Sequence, residues 1–147
     1  MQFLKSMAFL FFALIALHSS AQTNTPLLFP GTTPRARFNE TNFMTLFTKD
    51  ANAIINISSL DNFQLKGVVL SNDFNADMAT RIVIIRLTNF QEGTLLKLKS
   101  VTLNGKTTYK ATISNVNYDD AYQLSSIFDG WVVLSKFNKN QIEELAP

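Results

Sequence analysis

Three oxygen-bearing side chains at alternate positions could bind a calcium ion. Asp73, Asn75 and Asp77 match the first half of a calcium-binding loop, which places oxygen ligands at alternate positions. The match then ends, because Met78 occupies the position of the turn glycine and Ile84 that of the bidentate glutamate. A polar turn whose Asn and Asp side chains bond their own backbone accounts for the same residues. We favour the turn, keep the three residues as a calcium candidate, and expect no bound metal or cofactor.

Four lysines close to one predicted turn could bind an anionic polymer. They are Lys97, Lys99, Lys106 and Lys110. Asn104-Gly105 lies between two alternating runs and favours a two-residue hairpin turn, because both residues tolerate a positive φ. In that hairpin paired residue numbers add up to 209, which places the four lysines on one face and Lys99 opposite Lys110. This face either binds an acidic glycan or lipopolysaccharide, or is the ordinary solvated side of an antiparallel sheet. We favour the solvated side and keep the four lysines as a candidate binding patch.

The composition removes most ordinary catalytic chemistry. The chain has no Cys, and its single His, His18, lies in a segment that we expect to be cleaved. The mature chain then lacks a thiolate nucleophile, an imidazole base, disulfides and the usual zinc ligands. Asp119 and Asp120 are neighbours that point to opposite faces of a strand, whereas a glycosidase needs facing carboxyl groups about 5–9 Å apart. We therefore expect that the protein is not an enzyme and place an Asp/Glu-based hydrolase last.

Residues 1–21 have the pattern of a secretory signal peptide. Lys5 supplies the positive charge, residues 7–17 are an uncharged apolar run, and residues 19–21 (Ser-Ser-Ala) are small enough for a signal peptidase. The alternative is a membrane anchor, but a helix of this apolar run covers only about 16 Å, against about 30 Å of hydrocarbon. We expect cleavage before Gln22, export to the periplasm or the medium, and no membrane span in the mature chain.

The charge balance of the mature chain argues against nucleic acid as a partner. Cleavage removes Lys5 and leaves 12 basic and 11 acidic residues, a net charge of +1. A nucleic-acid-binding domain typically carries a clear basic excess. The candidate partners are therefore an envelope protein or an anionic glycan, and the residues do not identify which of the two it is.

Residues 22–37 are expected to form an extended linker or a loosely docked arm. Three of the four prolines of the chain lie in this stretch, together with Gly31. Leu27, Leu28 and Phe29 could attach the arm to the body of the protein. Residues 38–147 should form a single β-rich domain, because Val, Ile, Thr and aromatic residues are abundant there and proline is absent until the terminal residue.

Three further segments have the composition of strands. Residues 53–58, 63–70 and 81–88 are rich in β-branched and apolar residues. The third of them is apolar on both faces, since Ile82 and Ile84 alternate with other apolar residues. This pattern predicts a central strand that is buried on two sides.

Asp129-Gly130 predicts a second two-residue hairpin. Its register, in which paired numbers add up to 259, gives one face these pairs: Phe128 with Trp131, Ser126 with Val133, Leu124 with Ser135, and Tyr122 with Phe137. The aromatic pairs predict that this face contributes to the core. The alternative is a helix over residues 119–127 after an Asn or Asp cap, and we favour the hairpin.

Two other segments have helical features. Residues 43–53 fit the spacing of a helix and of a strand about equally, and we leave both open. At the C-terminus, Asn140 and Glu143 have the spacing of a capping box. This spacing predicts a short C-terminal helix.

Together these elements predict an all-β, mainly antiparallel domain of six to eight strands. It should be a small sandwich or an open barrel, with the short C-terminal helix, after a cleaved signal peptide. We expect an exported, non-catalytic binding or structural module of the cell envelope or the extracellular space. The alternative is a small β-barrel that carries a hydrophobic ligand. A cavity of about 300 Å³ or more would favour the carrier if it were lined by the inward residues Val83, Leu96, Leu98 and Ile113.

Overall fold

The computed structural model describes residues 26–139. The predicted signal peptide and the helix predicted from Asn140 onward lie outside these residues. The described chain forms eight strands, one short helix and one 3₁₀ turn. Their bounds are β1 (Arg35–Asn39), α1 (Glu40–Met44), the 3₁₀ turn (Thr45–Thr48), β2 (Ile54–Ser58), β3 (Gln64–Asn75), β4 (Thr80–Leu87), β5 (Leu95–Leu103), β6 (Lys106–Ser114), β7 (Asp120–Phe128) and β8 (Trp131–Asn138).

All eight strands belong to one antiparallel sheet, which confirms the predicted all-β class. The strand order is β1-β8-β7-β6-β5-β4-β3-β2, so the chain meanders from β2 to β8, and β8 also pairs with β1. The turn after β2 then reaches β1, where the Leu60 N–H donates to the Arg37 carbonyl oxygen (2.9 Å). The Arg37 guanidinium also pairs with the Asp61 carboxylate at 2.9 Å. These contacts make the sheet a nearly closed barrel.

The Asn104-Gly105 hairpin is confirmed in its turn and in its register. The φ angles of Asn104 and Gly105 are 52° and 75°, the two positive values that this turn type requires. Leu98 lies opposite Ala111 and Lys99 opposite Lys110, as the predicted register requires. No bulge interrupts β5 or β6, so the register that is set at the turn continues along the whole hairpin.

The core lies on the concave side of the sheet, and β4 faces it with one side only. Val83, Ile85 and Leu87 are fully or almost fully buried. On the other side of β4, Ile82 keeps 40% of its surface exposed and Ile84 is half-buried. The predicted burial on two sides is therefore wrong, because no second layer covers the convex face of the sheet within the described residues. The strand is interior only in the sense that β3 and β5 flank it.

The β7–β8 hairpin has the predicted turn but not the predicted register. Phe128 pairs with Trp131, and Ser126 with Val133, as expected. A bulge between Leu124 and Ser126 then shifts the pairing by one residue. Leu124 therefore lies opposite Leu134 instead of Ser135, and Tyr122 opposite Lys136 instead of Phe137.

The same bulge explains why the aromatic residues of β7 divide between the two faces. A bulge adds one residue to a strand, so side chains on either side of it change their alternation. Tyr122 is fully buried, whereas Phe128 is 76% exposed and Trp131 is half-buried. The prediction that the Phe128–Trp131 pair belongs to the core is therefore wrong.

The segment left open by the sequence is helical at its start. Helix α1 begins after Asn39, whose side-chain oxygen accepts a hydrogen bond from the Asn42 N–H at 3.1 Å. The 3₁₀ turn continues it, and together they bury Phe43, Leu46 and Phe47. The helix and turn thus cover one open end of the core.

The expected arm is docked on the barrel. Leu28 and Phe29 are buried, as expected of residues that attach the arm, while Leu27 is half exposed. Strand β1 begins at Arg35, inside the range assigned to the arm, and pairs with β8. Among the described residues, the part of the arm that precedes the sheet is residues 26–34.

Candidate functional site

The four predicted lysines lie together on the convex face of the sheet. Lys97 and Lys99 of β5 point away from the core because their neighbours Leu96 and Leu98 are fully buried. Lys110 lies directly opposite Lys99, and Lys106 follows the turn on the same face of β6. All four side chains belong to exposed residues. The structure thus brings together the lysines that the sequence placed on one face.

Two further cations extend this surface across β3 and β4. Arg86 lies between Val68 of β3 and Leu95 of β5, and Lys66 is two residues before Val68. Both are exposed on the convex face. We call the resulting surface the cationic face, defined by Lys66, Arg86, Lys97, Lys99, Lys106 and Lys110. Sequence analysis missed the first two, because their position depends on the register of β3 with β4 and of β4 with β5.

The cationic face has little negative charge of its own. Asp73 is the single carboxylate in strands β3 to β6, and it lies opposite Ile82. The two ion pairs among the described residues, Arg37–Asp61 and Lys136–Asp120, involve none of the six cations. Neighbouring charges of one sign raise the local potential and attract anions. The face therefore offers a positive potential to a ligand in solution.

Aliphatic side chains separate the cations. Ile82 lies between Asp73 and Lys99 in the pairing of β3, β4 and β5, and it is 40% exposed. Leu70 is 45% exposed at the bulge of β3, and Leu103 is 66% exposed at the end of β5. The surface can therefore contact an anionic ligand with both charges and methyl groups.

The calcium candidate is a turn in the structure. Asp73 and Asn75 end β3, and the Asn75 side-chain oxygen accepts a hydrogen bond from the Met78 N–H at 3.1 Å. Asp77 lies in the turn that follows and is exposed. Within residues 26–139, no group of three or more acidic, histidine or cysteine side chains is placed to hold a metal ion. The Asn75 contact is the backbone bond that the turn interpretation expects.

A buried ion pair attaches the arm to the inside of the barrel. The Asp120 carboxylate accepts hydrogen bonds from the backbone N–H groups of Leu28 (2.5 Å) and Phe29 (3.0 Å). The Lys136 ammonium lies 3.2 Å from the same carboxylate and donates to the Phe29 carbonyl oxygen at 2.5 Å. Asp120 is almost fully buried. The pair thus satisfies three backbone groups of the arm at once.

The arm places Phe29 in an aromatic cluster inside the barrel, next to the Asp120–Lys136 ion pair. Its ring centroid lies 4.9 Å from that of Tyr122, 5.2 Å from that of Phe90 and 5.9 Å from that of Phe63. The Tyr122 hydroxyl contacts the Thr32 hydroxyl at 3.0 Å and donates to the Thr33 carbonyl oxygen. Phe29 is 1% exposed. The arm therefore contributes the Phe29 ring to the interior of the barrel.

The four residues expected to line a ligand cavity lie in the hydrophobic core. Val83, Leu96, Leu98 and Ile113, the residues expected to line a ligand cavity, are all fully buried members of one hydrophobic core. Three clefts between described residues lie at the surface, and none of these three is lined by any of the four.

The Tyr122 hydroxyl makes the arm sensitive to alkaline pH. Burial raises the pKa of Tyr122 above its ordinary value of 10.0; the Thr32 hydrogen bond opposes this rise, and the Asp120 carboxylate adds to it. The folded protein therefore holds this proton more tightly than the unfolded chain does. The resulting stability is complete below about pH 10 and is lost as the pH rises through the higher pKa of the folded state.

We expect the melting temperature to fall less steeply above about pH 10 in Tyr122→Phe than in the unchanged protein. Thermal melting followed by circular dichroism over this pH range measures both slopes. Equal slopes in the two proteins would contradict the prediction.

The anchoring role of Asp120 was not predicted. The sequence drew attention to Asp119 and Asp120 only as an unsuitable catalytic pair, and their opposite orientation is what places Asp120 inside. The backbone groups that Asp120 binds lie 91 and 92 residues earlier in the chain. The position of Lys136 opposite Tyr122 depends on the bulge in β7. No residue type marks a bulge in the sequence, so the sequence contained no signal for this anchoring role.

Comparison of the chain with protein families, with curated proteins and with solved structures gives no match. Among residues 26–139, no helix is both long enough and apolar enough to span a bilayer.

Proposed function

We propose that this chain is an exported, non-catalytic binding module of the cell envelope or the extracellular space, and that its cationic face binds an anionic glycan. The observation that carries the proposal is the gathering of six exposed cations on one sheet face with a single carboxylate among them. Export is supported by the pattern of residues 1–21. A partner of opposite charge is what such a surface attracts.

A polymeric ligand fits the spacing of the cations. Lys99 and Lys110 are direct cross-strand neighbours, about 5 Å apart at their Cβ atoms, and Lys97 is about 7 Å further along the strand. One exposed charge pair contributes only about 0–1 kcal/mol. A polymer with a repeated charge occupies several such positions at once, which raises the affinity without requiring any one strong contact.

The absence of a catalytic role is supported by composition and by the use of Asp120. The chain after residue 21 contains no Cys and no His. Asp120 is fully engaged by Lys136 and by the backbone of the arm, so its carboxylate is not available to a substrate.

The test compares a variant that lacks two cations of the cationic face with a variant that lacks two cations elsewhere on the surface. We expect Lys99→Gln/Lys110→Gln to weaken binding to immobilised polygalacturonate about tenfold, a loss of about 1.4 kcal/mol. The protein should stay folded, because the substitution also removes a like-charge pair. The matched control is Arg35→Gln/Lys49→Gln, which changes the net charge equally at two exposed residues outside the face.

Interferometry at low and at high salt measures both variants, with neutral dextran as the control polymer. The unchanged protein should bind polygalacturonate more weakly at high salt, and Lys97→Glu/Lys99→Glu/Lys110→Glu should abolish binding. Equal losses in the two double variants would show that net charge alone is responsible and would contradict the proposed site. Binding that does not respond to salt would contradict it as well.

A further inference from the structure

Strand β2 is an edge of the sheet, and the backbone groups of alternate residues in it point away from β3. The Ser59 N–H donates to the Phe63 carbonyl oxygen (2.8 Å), and the Val69 N–H donates to that of Ala53 (2.9 Å), so bonded pairs stand at both ends of β2. In an antiparallel pair, bonded and non-bonded residues alternate. Ile55 and Ile57 therefore bond to β3, whereas the N–H and C=O groups of Ile54, Asn56 and Ser58 face outward. Within residues 26–139, these three residues make no backbone hydrogen bond outside the sheet.

A groove runs beside this edge. It has a volume of about 500 Å³ and is lined by β2 and by the helical segment before it. Such a volume lies in the range of ligand sites, about 300–1,000 Å³. The apolar part of its lining consists of Leu46, Ile54, Ile55 and Ile57, of which Leu46 and Ile55 are almost fully buried, and Lys49 is the one charged residue that lines it.

The opposite edge of the sheet is already occupied. The Arg37 N–H donates to the Asp61 carboxylate (3.0 Å), and its carbonyl oxygen accepts from the Leu60 N–H. The Thr33 hydroxyl contacts both the N–H and the carbonyl oxygen of Arg35. Of the two edges, the one at β2 is thus not occupied by any other part of the described chain.

The sequence of β2 does not protect this edge. Proteins usually shield an exposed edge with proline, a charged side chain or a bulge. Residues 54–58 read Ile-Ile-Asn-Ile-Ser, with neither a proline nor a charge, and Ile54 is 82% exposed.

We propose that the edge of β2 accepts an extended segment of a partner protein as an added strand. Its backbone pairs with Ile54, Asn56 and Ser58, and its inward side chains are aliphatic and lie over the apolar part of the groove. A carboxylate on the segment faces Lys49, since the groove has one cation and no acidic residue in its lining. This edge is a different surface from the cationic face, so the proposal does not depend on glycan binding by that face.

The groove favours a single strand over a second copy of this chain. Pairing two β2 strands would bring the second copy's β3 along, because β3 is bonded to the far side of β2. Strands in a sheet lie about 4.8 Å apart. A second copy would therefore bring two strands to the side of β2 where Asn42 and Thr45 line the groove, and its β2 has no acidic side chain to face Lys49. A single strand that carries a carboxylate needs less space and can pair with Lys49.

The test uses hydrogen exchange on isotopically labelled protein. The probe is an acetylated and amidated heptapeptide of alternating valine and threonine with glutamate at each end, added at millimolar concentration. We expect it to slow the exchange of the Ile54, Asn56 and Ser58 amides about tenfold. The same peptide methylated on every backbone nitrogen should have no effect, because the methyl groups block its approach to the edge and it cannot donate to the carbonyl oxygens of β2.

A charge reversal at the rim supplies the second measurement. Lys49→Glu, an exposed substitution that leaves β2 intact, should weaken binding of the glutamate peptide about threefold and strengthen binding of a peptide with lysine at each end. Arg35→Glu is the matched control and should change neither. Unchanged exchange at Ile54, Asn56 and Ser58 at millimolar peptide would overturn the proposal.

Slow hydrogen exchange of the Ile54, Asn56 and Ser58 amides in the absence of peptide would also overturn the proposal. Protection of the three amides that rises with protein concentration would assign the edge to a second copy. Protection that disappears when the chain ends at Lys139 would assign it to residues 140–147.

Discussion

Phe29→Ala is expected to lower the free energy of unfolding by about 3–5 kcal/mol, the usual cost of removing a buried aromatic ring. The ring is 1% exposed and contacts three other aromatic residues. Its removal leaves a cavity between the arm and the barrel, and the edge-to-face contacts with Tyr122 and Phe90 are lost. The effect is large because one residue of the arm closes the end of the core.

Urea denaturation measures this change, with the fluorescence of Trp131, the single tryptophan, as the signal. Leu27→Ala is the matched control, since Leu27 belongs to the same arm and is half exposed. We expect it to change the free energy of unfolding by no more than about 0.5 kcal/mol. A loss below about 1 kcal/mol in Phe29→Ala would mean that the arm does not contribute to the core in solution.

Asp120→Ala is expected to have the second largest effect, a loss of about 3 kcal/mol. Removing one partner of a buried ion pair usually costs about 3–5 kcal/mol, because the other charge stays buried without compensation. We use the lower end of this range because the Lys136 side chain is 22% exposed and can still reach water. The N–H groups of Leu28 and Phe29 also lose their acceptor.

The exposed ion pair of the same protein provides the control. Asp61→Ala removes the partner of Arg37 at the surface and should cost about 0–1 kcal/mol. Adding Lys136→Met to Asp120→Ala should restore part of the loss, because the uncompensated charge is then gone. Equal effects of Asp120→Ala and Asp61→Ala in urea denaturation would contradict the anchoring role of the buried pair.

Local signals in the sequence predicted the elements whose geometry is itself local. Asn104-Gly105 specified both a turn and a register, and this was sufficient to gather four lysines and to place Lys99 opposite Lys110. Asp129-Gly130 specified its turn equally well. The register then failed beyond Ser126, because a bulge is selected by packing of the whole barrel and not by the turn.

Features that join distant parts of the chain were not predictable. Arg86 and Lys66 belong to the cationic face only because β3 and β4 pair as they do. Ile82 suggested burial on two sides, since an apolar side chain can be interpreted as core or as part of a binding surface. The role of Asp120 required knowing that the arm returns to the barrel, which no pattern within either segment indicates.

The pairing of β1 with β8 has a consequence for the order of assembly. Arg35 and Ser135 are partners separated by 100 residues, so the first strand leaves the ribosome long before its neighbour exists. Strands β2 to β7 follow one another in the sheet, so each can pair with the preceding strand as soon as the short connection between them is formed. Until β8 is complete, β1 lacks its hydrogen-bonding partner, and a nascent chain cut short before Trp131 must leave this edge of β1 exposed to chaperones and proteases.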